Sequence, residues 1–297
     1  ANIDLMFSGL PHIPGEGQEL FARHFSIHLG GGVVGTMLNL SRLGIKTRVG
    51  TWLGDDMFSR FVREETAKFG LEIENMYVPG PGTTGIPLNV SAALITSRDR
   101  TFISYTDQEE PDPGEAERLY RLCSGARIVE MQLGNIEVYR RLKAEGSTLV
   151  FDVGWEEDMP LEKYRAHLEL ADYWTANRKE ALKISGCTAV SEAARYLHRF
   201  FKTVLIKLDA EGCLVYDGEE RLIPAIPACA CVDSTGAGDA FLAGFIYGLY
   251  HGKTVQEAVL LGNITGGTCV SARGATTAYL TGEELLALFS AYRPRYV

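Results

Sequence analysis

This 297-residue chain contains no pair of cysteines spaced CxxC and no run approaching the roughly 20 apolar residues of a membrane span. Its six cysteines (Cys123, Cys187, Cys213, Cys229, Cys231 and Cys269) fall mostly in apolar stretches such as IPACACVD, which reads as reduced core thiols rather than a disulfide frame or a metal knuckle. Basic charge is also short: 29 Lys and Arg stand against 38 Asp and Glu, a net charge of -9, with no cluster that would track a phosphate backbone. Nucleic acid and membrane are therefore not expected as partners, and a cytoplasmic location is. No basic-then-apolar leader opens the chain, which enters the apolar run ANIDLMF at once, so a few residues of its first strand are expected ahead of it. Any small anionic ligand must be held by local donors or through a metal ion rather than by the overall field.

Composition is that of an ordinary globular protein, 46% hydrophobic and 23% charged, and there is neither an internal repeat nor a low-complexity linker. From about residue 120, short apolar runs (ARIVEMQL, STLVFDVG, ADYWTAN, TVLIKLD) alternate with helical patterns, among them Leu161 to Leu170 and Ser191 to Phe200. That alternation predicts βαβ units and a three-layer, doubly wound, mostly parallel α/β sheet. Residues 17–29 and 86–107 read instead as strands and hairpins. The expectation is one domain over 1–297 with a small β-sheet lid formed by about 5–29 and 83–107, placed over whatever the body binds.

The segment CVDSTGAGDAFLAGFIYGLYHG is the most informative. A short strand is expected to end at Val232, a turn of small residues follows, and Phe241, Phe245 and Leu249 then recur at helical spacing. Gly236 and Gly238 allow close backbone approach, and a helix starting at about Ala237 adds its positive end. Together Gly236, Ala237 and Gly238 make an anion hole suited to a transferring phosphoryl group, and Asp239 on its rim is placed to take the proton of an attacking hydroxyl. The plain alternative makes Asp239 a helix cap and the glycines a turn.

DSTGAGDAFLAGF resembles the C-terminal signature of the ribokinase (PfkB-type) carbohydrate kinase family, and the resemblance extends over nearly the whole chain. It implies a ribokinase-like fold, transfer of the γ-phosphate of ATP to a sugar hydroxyl, Mg2+ as cofactor, and a monovalent cation such as K+. Asn2-x-Asp4 is similar to the family's sugar-binding strand. LGGGVVGTMLNLSRLG resembles its N-terminal glycine signature, which places Gly30, Gly31, Gly32 and Gly35 on the substrate side. Asn177 and Glu180 match its NxxE motif, which organises magnesium through water. Lys207, Asp209 and Gly212 stand where the family lies against the nucleotide, with Asn263 near the adenine. Asp233, Thr235 and Gly274 fall where it holds the monovalent cation.

On the substrate side the pattern departs: Gly35 replaces a usual Asn, Gly134 a usual Glu, and Asp152-Val-Gly-Trp155 a usual DPNxR. On the nucleotide side Lys207 and Asp209 replace the more frequent Thr and Gly. These changes imply a working kinase for something other than ribose, with nucleosides and sugar phosphates as alternatives. The latter would need cations such as Arg100, Arg23 or Lys46, each of which also reads as a surface charge, and Phe25, Phe102 and Tyr105 are the candidate stacking partners for a nucleoside. Two rivals of other classes are an NAD-dependent oxidoreductase, from GGGVVG with Asp55 and Asp56 about 20 residues on, and a non-enzymatic sensor. Exposed lid edges predict a homodimer joined through the lids.

Overall fold

A computed structural model describes residues 1–80, 85–107, 112–227 and 231–296. The elements β1 (Asn2–Leu10), β2 (His24–Leu29), α1 (Val33–Arg42), β3 (Arg48–Thr51), α2 (Met57–Ala67), β4 (Glu72–Asn75), β5 (Asn89–Thr96) and β6 (Arg100–Tyr105) make the first part of the chain. Strand β1 lies inside a four-stranded sheet ordered β2-β1-β5-β6, antiparallel to β2 and parallel to β5. This separate small sheet takes in the segments expected of the lid, with different edges. It begins at Asn2, so Asn2 and Asp4 ride on the lid itself. Residues 17–23 are not strand, because the polar stretch after Gly17 (φ 77°) stays in loop and leaves Phe21 exposed. Positions 83 and 84 lie outside the described residues.

The second part holds α3 (Glu115–Cys123), β7 (Ile128–Met131), α4 (Ile136–Ala144), β8 (Thr148–Phe151), α5 (Leu161–Leu170), β9 (Tyr173–Asn177), α6 (Arg178–Ser185), α7 (Val190–Leu197) and β10 (Val204–Lys207). It continues with β11 (Gly212–Tyr216), β12 (Glu220–Pro224), α8 (Ala237–Tyr250), α9 (Val255–Cys269) and α10 (Gly282–Tyr296). Strands β7 to β10 pair in parallel, and β11 and β12 extend the sheet antiparallel in the order β12-β11-β10-β9-β8-β7. Because the strand order advances in one direction, right-handed crossovers put α4 to α7 on a single face, where Tyr164, Leu168, Trp174 and Leu197 are fully buried. The C-terminal helices cover the other face through Phe245, Leu260, Leu261 and Leu285, and α1 joins them with Leu40. The result is the three-layer α/β arrangement that the alternation predicts.

Cys231 and Val232 do not form the expected strand end. Val232 is exposed and donates its N–H to Val270 O at the end of α9, and the apolar residues before it include Cys229, outside the described residues. Of the other cysteines, Cys213 and Cys269 are buried and Cys231 is exposed, and all five described ones are free. No helix among the described residues is long and apolar enough to cross a membrane.

Candidate active site

Helix α8 starts at Ala237, with Gly236 as its cap in the left-handed region (φ 77°), as the turn chemistry requires. Gly236 is also pressed on Ala275: a Cβ there would meet Ala275 O at 2.5 Å. The turn is open, with Ser234 exposed and Thr235 to Asp239 half-buried. Asp239 is the third helical residue and not the cap. Its Oδ2 accepts a 2.9 Å hydrogen bond from the backbone N–H of Gly32, 207 residues earlier. A side chain at Gly31 would collide with the same oxygen, and one at Gly35 would reach it at 3.4 Å, so both glycines clear the ground around one carboxylate. Burial, then the nearby Asp152 carboxylate, push the Asp239 carboxyl up to about 7, against the Gly32 hydrogen bond and the positive charge of Lys207. A carboxylate that titrates there is tuned for general-base work.

The carboxyl ends of the parallel strands meet this turn, the edge where open α/β sheets bind ligands. Asp152 follows β8 directly, Asn177 ends β9, and Lys207 ends β10 opposite Asn177. Lys207 Nζ lies 3.8 Å from Asp152 Oδ1 and would be 3.4 Å from a Cβ on Gly238. Glu130 in β7 is buried, and burial followed by the charges of Asp152 and Asp239 holds its carboxyl well above the usual range. Glu130 was not expected in the site, and Asp152 was expected only as the first residue of the altered substrate-side segment Asp152-Val-Gly-Trp155. A signal for Glu130 is present in IVEM, where a charge interrupts an apolar strand.

Across the lid, Asp4 is buried, and burial followed by the charge of Asp233 raises its carboxyl while Arg100 lowers it. Asn2 accepts from Asn89 Nδ2 at 3.0 Å, and its carbonyl takes the N–H of Gly30 at 2.8 Å, which seats Gly30 against β1. Arg100 is not a solvated surface charge. Its Nη1 donates to Asp233 Oδ1 at 2.8 Å and to Thr235 Oγ1 at 2.5 Å, tying lid strand β6 to the anion turn. Asp233 also accepts from Thr235 N–H and Oγ1 on Oδ1 and from Gly274 N–H on Oδ2. With four donors, one of them a guanidinium, the charge of Asp233 is already compensated. Arg100 thus stands against two of the three residues expected at the monovalent cation, Asp233 and Thr235, and its guanidinium is engaged rather than free for an anionic acceptor.

On the nucleotide side, two more expected ligands turn out to hold the fold. Asn177 and Glu180 form a reciprocal capping box: Asn177 Oδ1 accepts from Glu180 N–H at 2.9 Å, and Glu180 Oε2 from Asn177 N–H at 2.8 Å. Asn177 Nδ2 donates to Glu180 Oε1 at 2.5 Å, so both oxygens of this buried carboxylate are engaged. No group of three or more metal-ligating side chains exists among the described residues. Asn263 donates its amide to Ile223 O at 2.9 Å and Pro224 O at 3.0 Å, pinning α9 to β12. Asp209 takes left-handed backbone (φ 54°) in the exposed turn before Gly212, whose φ of 108° lets it lie against the β12 backbone.

The sequence matches the pfkB family carbohydrate kinase profile over residues 8–281. The chain belongs to this family. A PfkB kinase is a phosphotransferase, and the oxidoreductase reading of GGGVVG falls with that assignment. Fructoselysine 6-kinase of Shigella flexneri is 27% identical over 249 residues, 83% of this chain and 91% of that protein. The structure of Giardia lamblia ribokinase superposes with a TM-score of 0.83 at 19% identity, over 98% of this chain and 96% of the other. Arabidopsis thaliana ribokinase complexed with ribose and ATP gives 0.79 at 22% identity, over 97% of this chain and 95% of the other. At those identities the structures speak for the ribokinase fold, and the PfkB kinase activity rests on the sequence match.

Proposed function

We propose that this PfkB kinase transfers the γ-phosphoryl group of ATP to a hydroxyl of a small uncharged or amine-bearing sugar, with Asp239 as base. The acceptor oxygen forms a bond to the γ-phosphorus, the bond from that phosphorus to the β-bridging oxygen breaks, and ADP leaves. The hydroxyl proton passes to Asp239. The N–H groups of Gly236, Ala237 and Gly238 at the start of α8 take up charge that builds on the moving group. Magnesium brought with the nucleotide would neutralise phosphate charge, with Asn177 and Glu180 meeting it through water. The observation that carries the reading is the placement of Asp239, fixed by Gly32 at the mouth of the anion turn with a carboxyl titrating at about 7.

The acceptor class follows from charge. Asp4 and Asp233 flank the engaged guanidinium of Arg100, and with Asp239 they leave the acceptor side rich in carboxylates, which disfavours a sugar phosphate and suits hydroxyls or an ammonium group. The relative named fructoselysine 6-kinase supports that class. A nucleoside acceptor is the second reading, favoured by the exposed lid aromatics Phe25 and Phe102 and by a Thermococcus kodakarensis relative named cytidine kinase, 36% identical over 132 residues. The test is ADP release from MgATP with ribose, fructose, fructoselysine, cytidine and fructose 6-phosphate as acceptors. Turnover with one of the first three supports the reading, turnover with cytidine the second, and turnover with the phosphate alone overturns the charge argument.

The lid also leaves Phe21, Phe25 and Ile103 exposed. A homodimer joined through these residues would cover them, and sedimentation at micromolar concentration distinguishes it from a monomer.

A further inference from the structure

Besides Arg100 on the lid side, Lys207 sets a full positive charge beside the anion turn from the sheet. It ends β10 with a side chain only 16% exposed, among Asp152 at 3.8 Å, the ring of Phe241 at 5.9 Å to its centroid, and the backbone of Gly238. An ammonium in that position is costly to bury without a counter-charge, and Asp152 supplies it from the end of β8. Its Nζ lies next to the turn proposed to hold an anion. Lys207 Nζ is the atom that a Cβ on Gly238 would approach, at 3.4 Å, which places the ammonium directly against the turn.

We propose that Lys207 is a catalytic residue that contacts the migrating phosphoryl group at Gly238, and that Asp152 is the positioning residue that holds its ammonium there. The N–H groups of the turn carry partial charges, and Lys207 adds a whole one on the opposite side of the same anion. Bond making and breaking are those of the kinase reading above, on which this proposal rests: phosphorus passes from the ADP oxygen to the acceptor oxygen, the proton goes to Asp239, and Lys207 keeps its own protons throughout.

The groups facing Asp239 are Asp152 after β8, Glu130 in β7, Cys269 in α9, the N–H of Gly32 and Lys207. Of these only Lys207 and the Gly32 N–H favour the ionised carboxylate. Removing the ammonium therefore raises the pH at which Asp239 becomes a base.

The experiment compares Lys207→Met and Lys207→Arg with the wild type. The first measurement is ADP release over pH 5–9 with whichever acceptor of the panel wild type turns over. The second is the shift in melting temperature produced by MgADP alone and by MgADP with aluminium fluoride, a mimic of the migrating phosphoryl group. Lys207→Met is expected to lose roughly 100-fold or more in kcat, as enzymes do when one oxyanion donor is removed. Its acidic limb in kcat/KM moves to higher pH, and it keeps the MgADP shift while losing the increment from aluminium fluoride. Lys207→Arg keeps part of both. Wild-type kcat in Lys207→Met, or an undiminished fluoride increment, overturns the proposal. So does a loss confined to the KM for ATP, which would make Lys207 a nucleotide contact only. Should Lys207→Met not fold, Lys207→Gln is read by the same criteria. A wild type that consumes no ATP refutes the kinase reading itself, and the fluoride arm then tests Lys207 separately.

Discussion

Converting Asp239 to Asn should stabilise the protein while removing its activity, and the stabilisation should depend on pH in a defined way. In the folded chain burial pushes the carboxyl up to about 7, against the ordinary 3.8 of an aspartate. Folding therefore favours the protonated form. Its contribution is fully present below pH 3.8 and is lost progressively as pH rises through 7. The difference of about 3 units corresponds to about 4 kcal/mol, with each unit near 1.4 kcal/mol. Asn cannot ionise, and its side-chain oxygen can still accept from Gly32. Asp239→Asn should then gain on wild type between about pH 4 and 7 and hold a constant advantage above about 8. In a chain of this size about 2 °C follows each kcal/mol, so the full advantage is about 8 °C. Thermal denaturation of both proteins at half-unit steps from pH 4 to 9 reads it directly. A difference that does not change with pH, or that favours wild type at pH 8, refutes the claim that Asp239 is held in an environment hostile to its charge.

Wild-type kcat/KM should rise with pH along a single-proton limb centred near 7, read from initial ADP release, because the base must be ionised to act. Gly31→Ala should cut kcat by about 100-fold with little change in melting temperature, since its methyl group displaces the Asp239 carboxylate and small misplacements of that order are costly. Activity should be unchanged when K+ is replaced by tetramethylammonium. Arg100→Ala should lose turnover and acquire a melting temperature that responds to K+, because the Asp233 carboxylate is then left without its guanidinium. Asn263→Ala should destabilise by about 1–3 kcal/mol through two orphaned carbonyls, read by urea denaturation, while leaving the KM for ATP within about twofold.

What the sequence reveals and what it hides have physical reasons. DSTGAGD is a local instruction: small residues, a glycine tolerant of left-handed backbone and an apolar helical repeat lie together, and α8 begins at Ala237 where that pattern puts it. Asn177-x-x-Glu180 is equally local and equally legible as a helix start, but its side chains answer each other, so the same letters that suggest a metal site build a capping box. The contacts that make the site special are between distant loops. Arg100 meets Asp233 over 133 residues and Gly32 meets Asp239 over 207, and neither periodicity nor turn chemistry states which loops face one another. A surface arginine and a latch between lid and turn look alike until the sheet ordered β2-β1-β5-β6 brings β6 over the turn. Asp152 and Lys207 share a border only because β8, β9 and β10 run parallel and end together. Once that register is known, their pairing is a consequence of it.

The central claim is that Asp239 removes the acceptor's proton as phosphate arrives at the turn beside it. The most direct test is the mass of the acceptor after incubation with MgATP and either wild type or Asp239→Asn at equal folded concentration. Wild type should give a phosphorylated sugar and stoichiometric ADP, and the variant, which still binds MgATP, a rate lower by several orders of magnitude. Equal product from both proteins would contradict that claim.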